Sequence, residues 1–228
     1  MASTDTTEPR PPTRVVLVRH GESVATVRRE IGGPRTCRGL SDLGRRQAER
    51  LATRLTETGE VEADRLVSSH YPRAIETAEA LAPVFGLPID VEPGFGEHDP
   101  GPDLDGTRFD DYVDRFGAPD FDDPQGEIFP GGETKDTFHR RVDAALERLL
   151  ADDAERTIVI ACHGGVIDAV FRRVVGAPAA GGFNLFTLNT SITELLVTAD
   201  GRWNLTRYND TAHLAGLERA TPRWSDSG

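Results

Sequence analysis

Two arginines and two histidines of this chain could together handle a phosphate group. Arg19 and His20 are adjacent, whereas Arg73 and His163 lie far along the chain from them. An arginine side chain is always charged, and its planar fork matches two phosphate oxygens. An imidazole can donate a proton or act as a nucleophile near neutral pH. These residue types predict phosphoryl chemistry, provided that the fold brings the four side chains together.

The pattern of apolar residues predicts elements that would do so. Continuous apolar runs predict buried parallel strands at residues 14–18, 64–68 and 157–161, with a weaker strand at 87–91. A hairpin is predicted from 191–198 and 203–208, and helices between 41 and 59 and at 71–85, 107–116, 134–150 and 166–175. Strands that alternate with helices indicate an α/β fold with a mainly parallel sheet. Functional residues of such folds lie just past the carboxyl ends of the strands, which is where Arg19, His20 and His163 occur.

The composition limits the kinds of partner. The chain has 228 residues, and its 38 acidic against 26 basic residues give a formal net charge of −12. Nucleic acids and anionic membranes need a basic face, so neither is a predicted partner. The two cysteines, Cys37 and Cys162, form no disulfide framework, and there is no secretory signal pattern. We therefore predict a cytoplasmic protein in which Cys162, on a strand beside His163, is a small buried residue.

Five ordered motifs resemble those of one known family. They are LVRHGES at 17–23, LSDLGRRQA at 40–48, SSHYPRAIETA at 68–78, PGGET at 130–134 and CHGG at 162–165. Their order and spacing are similar to those of the histidine phosphatase superfamily, also called phosphoglycerate-mutase-like. The resemblance implies a three-layer α/β/α sandwich whose mainly parallel sheet has one antiparallel strand. It also implies that the protein needs neither a metal nor a cofactor.

The resemblance assigns a role to each residue that matches a family motif. His20 would attack phosphorus and become a phosphohistidine, which water then hydrolyses. Arg19, Arg73 and His163 would hold the phosphoryl oxygens. The family's acid is a glutamate after the third strand, which points to Glu97 as the proton donor, with Asp99 as the competitor. The predicted activity is hydrolysis of a small phosphomonoester by a monomer or homodimer.

Some positions depart from the family pattern and leave alternatives open. Ser23, Thr26 and Gly164 are possible substrate-binding residues, although many members have asparagine where this chain has Thr26. The arginine that reaches the substrate could be any of Arg28, Arg35 and Arg38. Motifs associated with true mutases around the catalytic glutamate are not recognisable, which favours a phosphatase. A phosphoglycerate mutase and a non-catalytic module that binds phosphate ligands are the alternatives.

The acidic residues are concentrated in one segment. We predict a disordered arm at residues 1–13, a single domain at 14–215 and a polar tail at 216–228. Within the domain, residues 93–132 break the alternation of strands and helices and are expected beside the site; we call them the acidic excursion. Residues 90–127 hold thirteen acids against two arginines. These acids could disfavour substrates with several negative charges, or they could only solvate an exposed loop.

Overall fold

The computed structural model describes residues 11–154 and 156–217. The described residues form one six-stranded sheet in the order β3-β2-β4-β1-β5-β6. Its strands are β1 (Thr13–Arg19), β2 (Arg65–Ser68), β3 (Ile89–Val91), β4 (Thr157–Cys162), β5 (Ile192–Val197) and β6 (Trp203–Asp210). The neighbours from β3 to β1 are parallel, while β5 runs antiparallel to both β1 and β6. The predicted sheet, mainly parallel with one antiparallel strand, is therefore confirmed.

Helices cover both faces of this sheet. In the described part of the chain they are α1 (Val24–Arg28), α2 (Asp42–Thr58), α3 (Pro72–Phe85), α4 (Phe109–Phe116), α5 (Lys135–Asp152) and α6 (Gly164–Val175). One buried cluster joins α5 and α6 to the sheet, and a second cluster joins α2 and α3 to it. This arrangement is the predicted three-layer sandwich.

The two clusters follow from the alternation of side chains along each strand. In β1, Val15 and Leu17 pack in the cluster with α5 and α6, whereas Val16 and Val18 pack in the other. Both faces of the strand are buried, which explains its continuous apolar run. Cys162 is fully buried in the first cluster, as predicted, and burial raises the pKa of its thiol.

Most element boundaries lie within two residues of the prediction, because local signals set them. Ser41 caps α2 by accepting the N–H of Gly44, and Gly59 ends this helix with a φ of 60°. Helix α6 begins at Gly164, two residues before the predicted start, because the turn after β4 leads directly into it. Helix α1 was not predicted, since five residues are too few for a helical period to show.

The acidic excursion contains little regular structure. It has a short 3-10 helix at Pro93–Phe95 and the single helix α4 among its residues. A small apolar cluster of Ile31, Leu104 and Tyr112 packs it against the segment after α1, and backbone hydrogen bonds link Ile31 to Gly106 and Thr107. The excursion is therefore fastened to the turn that follows α1.

Both predicted termini lie largely outside the described residues. Of the arm predicted at 1–13, the structure describes residues 11–13, and Thr13 already pairs with Val197 as the first residue of β1. Of the tail predicted at 216–228, it describes residues 216 and 217. Across residues 11–154 and 156–217, no helix has the length and apolar character needed to cross a membrane.

Candidate active site

The ends of three neighbouring strands bring the predicted residues together. Strands β2, β4 and β1 are adjacent and parallel, so the residues that follow them meet at one edge of the sheet. The N–H of His20 bonds the carbonyl of Cys162 at 2.9 Å, and the N–H of Ser69 bonds that of Ala161 at 3.0 Å. As a result the rings of His20 and His163 lie 5.0 Å apart in an edge-to-face arrangement.

The hydrogen bonds of His20 define which nitrogen carries its proton. Nδ1 lies 2.6 Å from the carbonyl oxygen of Gly21, and only an N–H can donate to a carbonyl. Nε2 lies 3.1 Å from Nε of Arg73, whose N–H donates to it. The Nε2 lone pair of His20 is therefore proton-free and directed at a cation. Asn189 holds the backbone on the other side by donating to the His20 carbonyl at 2.9 Å.

Arg73 and Arg19 are both held by backbone carbonyls. The Nη1 group of Arg73 donates to the carbonyl of Gly32 at 3.0 Å, and its guanidinium lies 4.5 Å from the centre of the Tyr71 ring. Arg73 is only 4% exposed. Nη1 of Arg19 donates to the carbonyl of Thr187. Two permanent positive charges are thus anchored near His20 before any ligand binds.

Helix α6 begins close to Arg19, with Gly164 at ordinary contact distance from it. A Cβ on Gly164 would lie 3.7 Å from Nε of Arg19 and 3.4 Å from Oγ1 of Thr187. The first turn of α6 therefore packs directly against the arginine. Because the N-terminus of a helix carries partial positive charge, α6 adds to the field of the arginines at this edge of the sheet.

His163 is fully buried between the other aromatic rings of the site. Its Nε2 lies 2.6 Å from Oγ of Ser69, and its Nδ1 has no hydrogen-bond partner among the residues that the structure describes. Burial, and then the positive charge of Arg73, hold the pKa of His163 well below its usual value of 6.5. His163 is therefore a neutral imidazole at physiological pH.

Glu97 reaches the start of α6, next to His163. Its Oε2 accepts the N–H of Gly165 at 3.1 Å, and a Cβ on Gly165 would lie only 2.2 Å from Oε1. A glycine at this position is therefore required for the carboxyl to approach. The hydroxyl of Tyr71 donates to the Glu97 carbonyl at 3.1 Å, which links Glu97 to the same ring that Arg73 covers.

Asp99 has a different environment, although it lies only two residues further on. Its two oxygens accept from Nη1 and Nη2 of Arg35 at 2.8 and 3.1 Å. The N–H of Gly101 donates to one of these oxygens at 2.9 Å. The hydrogen bond from Arg35 holds the pKa of Asp99 below its usual 3.8. A carboxyl that stays ionised in an ion pair is poorly suited to donate a proton.

The chain is similar to known proteins over most of its length. The family model of the histidine phosphatase superfamily (branch 1) matches residues 15–211. The chain belongs to this superfamily. Phosphoglycerate mutase-like protein 4 of Arabidopsis thaliana is 30% identical over 205 residues, which make up 88% of this chain and 86% of that protein. The metal-independent phosphoserine phosphatase of the same plant is 29% identical over 210 residues, covering 90% and 84% of the two chains.

Solved structures of the superfamily share the fold. A mycobacterial glucosyl-3-phosphoglycerate phosphatase, solved in complex with VO3, is 28% identical with a TM-score of 0.71, and the match covers 86% of this chain and 98% of that one. A structure from Escherichia coli carries the name of an α-ribazole-5'-phosphate phosphatase. It is 25% identical with a TM-score of 0.74, and the match covers 88% of this chain and 97% of that one. The chain is accordingly an enzyme of the phosphatase type.

Other residues of the superfamily motifs support the turn that carries His20. The N–H of Gly21 donates to Oγ1 of Thr77 at 3.1 Å, and the N–H of Glu22 donates to Oε1 of Gln47 at 2.8 Å. A Cβ on Gly44 would lie 2.0 Å from the carbonyl oxygen of Glu22. The glycine of the motif at 40–48 thus corresponds to a close backbone contact between α2 and the residues after β1.

The remaining sequence candidates lie further from this centre in the hydrogen-bond network. Ser23 caps α1, and its Oγ lies 3.2 Å from the N–H of Thr26 and 3.0 Å from the Thr26 hydroxyl. Of the three candidate arginines, Arg28 lies 3.9 Å from Glu30, Arg35 pairs with Asp99, and Arg38 is exposed. Sequence reasoning missed the contacts of Ser69, Asn189 and Arg141. Ser69 lies inside the motif at 68–78, in which the resemblance assigns a role only to Arg73, whereas nothing local marks Asn189 or Arg141.

Proposed function

We propose that the protein is a cytoplasmic, metal-independent phosphomonoester hydrolase that acts on a small phosphorylated metabolite through a phosphohistidine at His20. The observation that carries this proposal is the state of His20. Its Nδ1 proton is committed to the Gly21 carbonyl, so its Nε2 lone pair is free of a proton and faces Arg73. A neutral imidazole beside a guanidinium is a prepared nucleophile for a phosphoryl group.

The first chemical step transfers the phosphoryl group to the enzyme. Nε2 of His20 forms a bond to phosphorus while the bond from phosphorus to the ester oxygen breaks. Arg19 and Arg73 stabilise the charge on the phosphoryl oxygens, and a phosphoryl oxygen supplies the partner that the buried Nδ1 of His163 lacks. Glu97, when protonated, gives its proton to the leaving alcohol.

The second step releases phosphate. A water molecule attacks phosphorus, its proton passes to the Glu97 carboxylate, and the bond to Nε2 breaks. This restores neutral His20 and protonated Glu97 and yields inorganic phosphate, so that the cycle closes without a cofactor. Ser23, Thr26 and Gly164 are proposed to contact the substrate, since they flank the turns that carry His20 and His163.

Relatives that are named as phosphatases support hydrolysis. The similar proteins include phosphatases of phosphoserine and of glucosyl-3-phosphoglycerate, although others are named as phosphoglycerate mutases or as mutase-like. The neutral histidines need no bound ion to be reactive, in keeping with the relative named as metal-independent. Both cysteines are free thiols, which is in keeping with the reducing cytoplasm.

A direct assay tests this proposal. With p-nitrophenyl phosphate as substrate, we expect a chelator to leave the rate unchanged and His20→Ala to lower kcat by at least ~10⁴-fold, as for loss of a nucleophile elsewhere. His139→Ala, a histidine on α5 away from the strand ends, is the matched control and should retain the wild-type rate. Loss of activity with chelator, or full activity of His20→Ala, contradicts the proposal.

Two further measurements separate the alternatives. Labelled substrate quenched in alkali should leave phosphate on His20, whereas a binding module would trap none. With 3-phosphoglycerate and a bisphosphate primer, a mutase would form 2-phosphoglycerate, whereas the proposed hydrolase releases inorganic phosphate.

A further inference from the structure

Arg141 on α5 contacts the backbone around Glu97 more extensively than any sequence motif suggests. Its Nη1 group donates to the carbonyls of Gly94 and Gly96, both at 3.0 Å. Its Nη2 group donates to the carbonyl of Glu97 at 3.3 Å. One guanidinium thus donates hydrogen bonds to three carbonyls of the loop that carries the proposed proton donor.

Glu133 fixes the guanidinium in this position. Its Oε1 and Oε2 accept from Nε and Nη2 of Arg141 at 2.8 and 2.7 Å, a two-point ion pair. Oε2 also accepts the N–H of Asp99 at 2.9 Å. The Arg141–Glu133 pair therefore forms hydrogen bonds with the backbone of the loop on both sides of Glu97.

Both members of the pair stay charged. Burial is the largest single influence on the pKa of Arg141 and lowers it, but the hydrogen bond to Glu133 and the charges of nearby acidic groups together outweigh burial, so the net direction is upward. For Glu133, burial is again the largest influence and raises the pKa, but the hydrogen bonds from Arg141 and from the N–H of Asp99 together with nearby positive charge outweigh it, so the net direction is downward. A charged pair with six contacts among them and the loop is a rigid support rather than a loose surface bridge.

The loop has reason to need such a support. Two of the three residues before Glu97 are glycines, and glycine leaves the backbone free to adopt many conformations. Among the described residues, the carboxyl of Glu97 accepts the N–H of His98, which moves with the loop, and the N–H of Gly165 at the start of α6. A shift of the loop by about 1 Å would break the hydrogen bond to Gly165 and move the carboxyl away from α6.

We propose that Arg141, paired with Glu133, is a positioning residue for proton donation by Glu97. This inference rests on the proposed function, because it requires Glu97 to protonate the leaving oxygen. Arg141 holds the loop and does not touch the substrate. Its loss should therefore lower kcat/KM, which reports the first step, only when the leaving group needs a proton.

The leaving group provides the test. p-Nitrophenolate is a stable anion that departs without protonation, whereas benzyl alcohol must be protonated as it leaves. The quantity to compare is kcat/KM across p-nitrophenyl, phenyl and benzyl phosphates, because it reports bond cleavage even when hydrolysis of the phosphohistidine limits kcat. Glu97→Gln defines the full effect of losing the acid.

For Arg141→Met we expect kcat/KM for benzyl phosphate to fall about 30- to 100-fold, and for p-nitrophenyl phosphate less than about threefold. Glu133→Gln should show the same trend more weakly, since the neutral amide still reaches Arg141. Arg148→Met, two turns further along α5, removes an exposed contact to Glu92 at 3.4 Å and should change neither value by more than about twofold.

A second readout distinguishes positioning from loss of structure. Inhibition by inorganic phosphate depends on Arg19, Arg73 and His163, so its inhibition constant should stay within about twofold of wild type in Arg141→Met. If Arg141→Met lowers kcat/KM equally for all three esters, Arg141 is not a positioning residue for proton donation. A clear rise in the inhibition constant for phosphate would contradict the role as well. If Glu97→Gln itself shows no dependence on the leaving group, Glu97 is not the acid and the inference falls with that role. The phosphohistidine at His20 is tested separately by trapping.

Discussion

The proposed phosphate pocket, formed by Arg19, His20, Arg73 and His163, lies beside the acidic excursion. The two regions are built in different ways. Backbone geometry forms the pocket, because Arg19, His20 and His163 follow neighbouring parallel strands that hydrogen-bond to one another. Contacts from distant segments hold the excursion instead. Ile31 packs against it in an apolar cluster, and Arg29 and Arg35 form ion pairs with its Asp110 and Asp99. The difference teaches that the sheet places the proposed attacking group, whereas contacts between side chains and loops place the proposed proton donor.

The same contrast appears in the charges. The pocket carries anchored arginines, whereas several acids of the excursion act as structural acceptors. The carboxylate of Asp105, for example, accepts the N–H groups of Gly33 and Arg35 at 2.9 and 2.7 Å. Part of the negative charge thus holds the segment after α1 in place, close to the Gly32 carbonyl that Arg73 contacts.

The largest expected effect comes from breaking the pocket. Arg73→Ala removes the guanidinium that bonds His20, and we expect kcat/KM for p-nitrophenyl phosphate to fall about 10²- to 10³-fold, as for loss of one charge-stabilising donor. Arg65→Ala is the matched control, since that arginine on β2 pairs with Asp90 and Asp153. A loss below about tenfold for Arg73→Ala would contradict the assignment.

The next effect distinguishes two acids of the excursion. Glu97→Gln should lower kcat/KM for benzyl phosphate about 10²-fold, because the leaving alcohol loses its proton donor. Asp99→Asn should retain this rate within a few-fold, because Asp99 pairs with Arg35 rather than with α6. Steady-state assays of both variants check this, and the reverse ranking would assign the acid to Asp99.

Acid should lower the free energy of unfolding, because a buried histidine favours the neutral form in the folded state. His213 lies 2.9 Å from the Thr190 hydroxyl, and burial lowers its pKa from 6.5 to about 4. Its neutral form is favoured in the folded state, so its contribution is complete above about pH 6.5 and is lost as the pH falls through about 4. We expect a decrease of roughly 2–3 kcal/mol in the unfolding free energy over that window.

Denaturant titrations at a series of pH values measure this decrease. His213→Gln removes the titrating group and should flatten the pH dependence by about the same amount. An unchanged slope in the variant would show that other groups cause the acid sensitivity.

The smallest effect concerns the role of the acidic charge. Asp99→Asn removes one of the carboxylates that pair with Arg35, so more of the positive charge of Arg35 is left uncompensated. A substrate with a second anionic group should then bind with less repulsion. We expect the ratio of kcat/KM for 3-phosphoglycerate to that for glycerol 3-phosphate to rise about fivefold at low salt, the effect of about one charge at 4 Å in water. An unchanged ratio would favour the alternative that these acids only solvate and fasten the loop.

Local patterns in the sequence were sufficient for the elements of the fold. Apolar runs located β1, β2 and β4, and glycines and capping residues located the helix ends, because these signals depend on neighbours along the chain. The family motifs then pointed to His20, Arg73 and His163. The sequence did not predict helix α1, because five residues show no helical period, and it placed the start of α6 two residues late, because the turn after β4 leads directly into the helix.

Two carboxylates two residues apart show what the sequence left open. Glu97 and Asp99 have the same chemistry and the same flexible, acidic surroundings, so residue type and spacing predict the acid only through the resemblance. Tertiary structure distinguishes them, because the N–H of Gly165 on α6 donates to the Glu97 carboxyl, whereas Asp99 forms an ion pair with Arg35. The supporting contact of Arg141 with the Glu97 loop spans 44 residues and has no local signature. Short-range preferences therefore specify strands and helices, whereas contacts between residues distant in sequence decide which carboxyl lies against the start of α6.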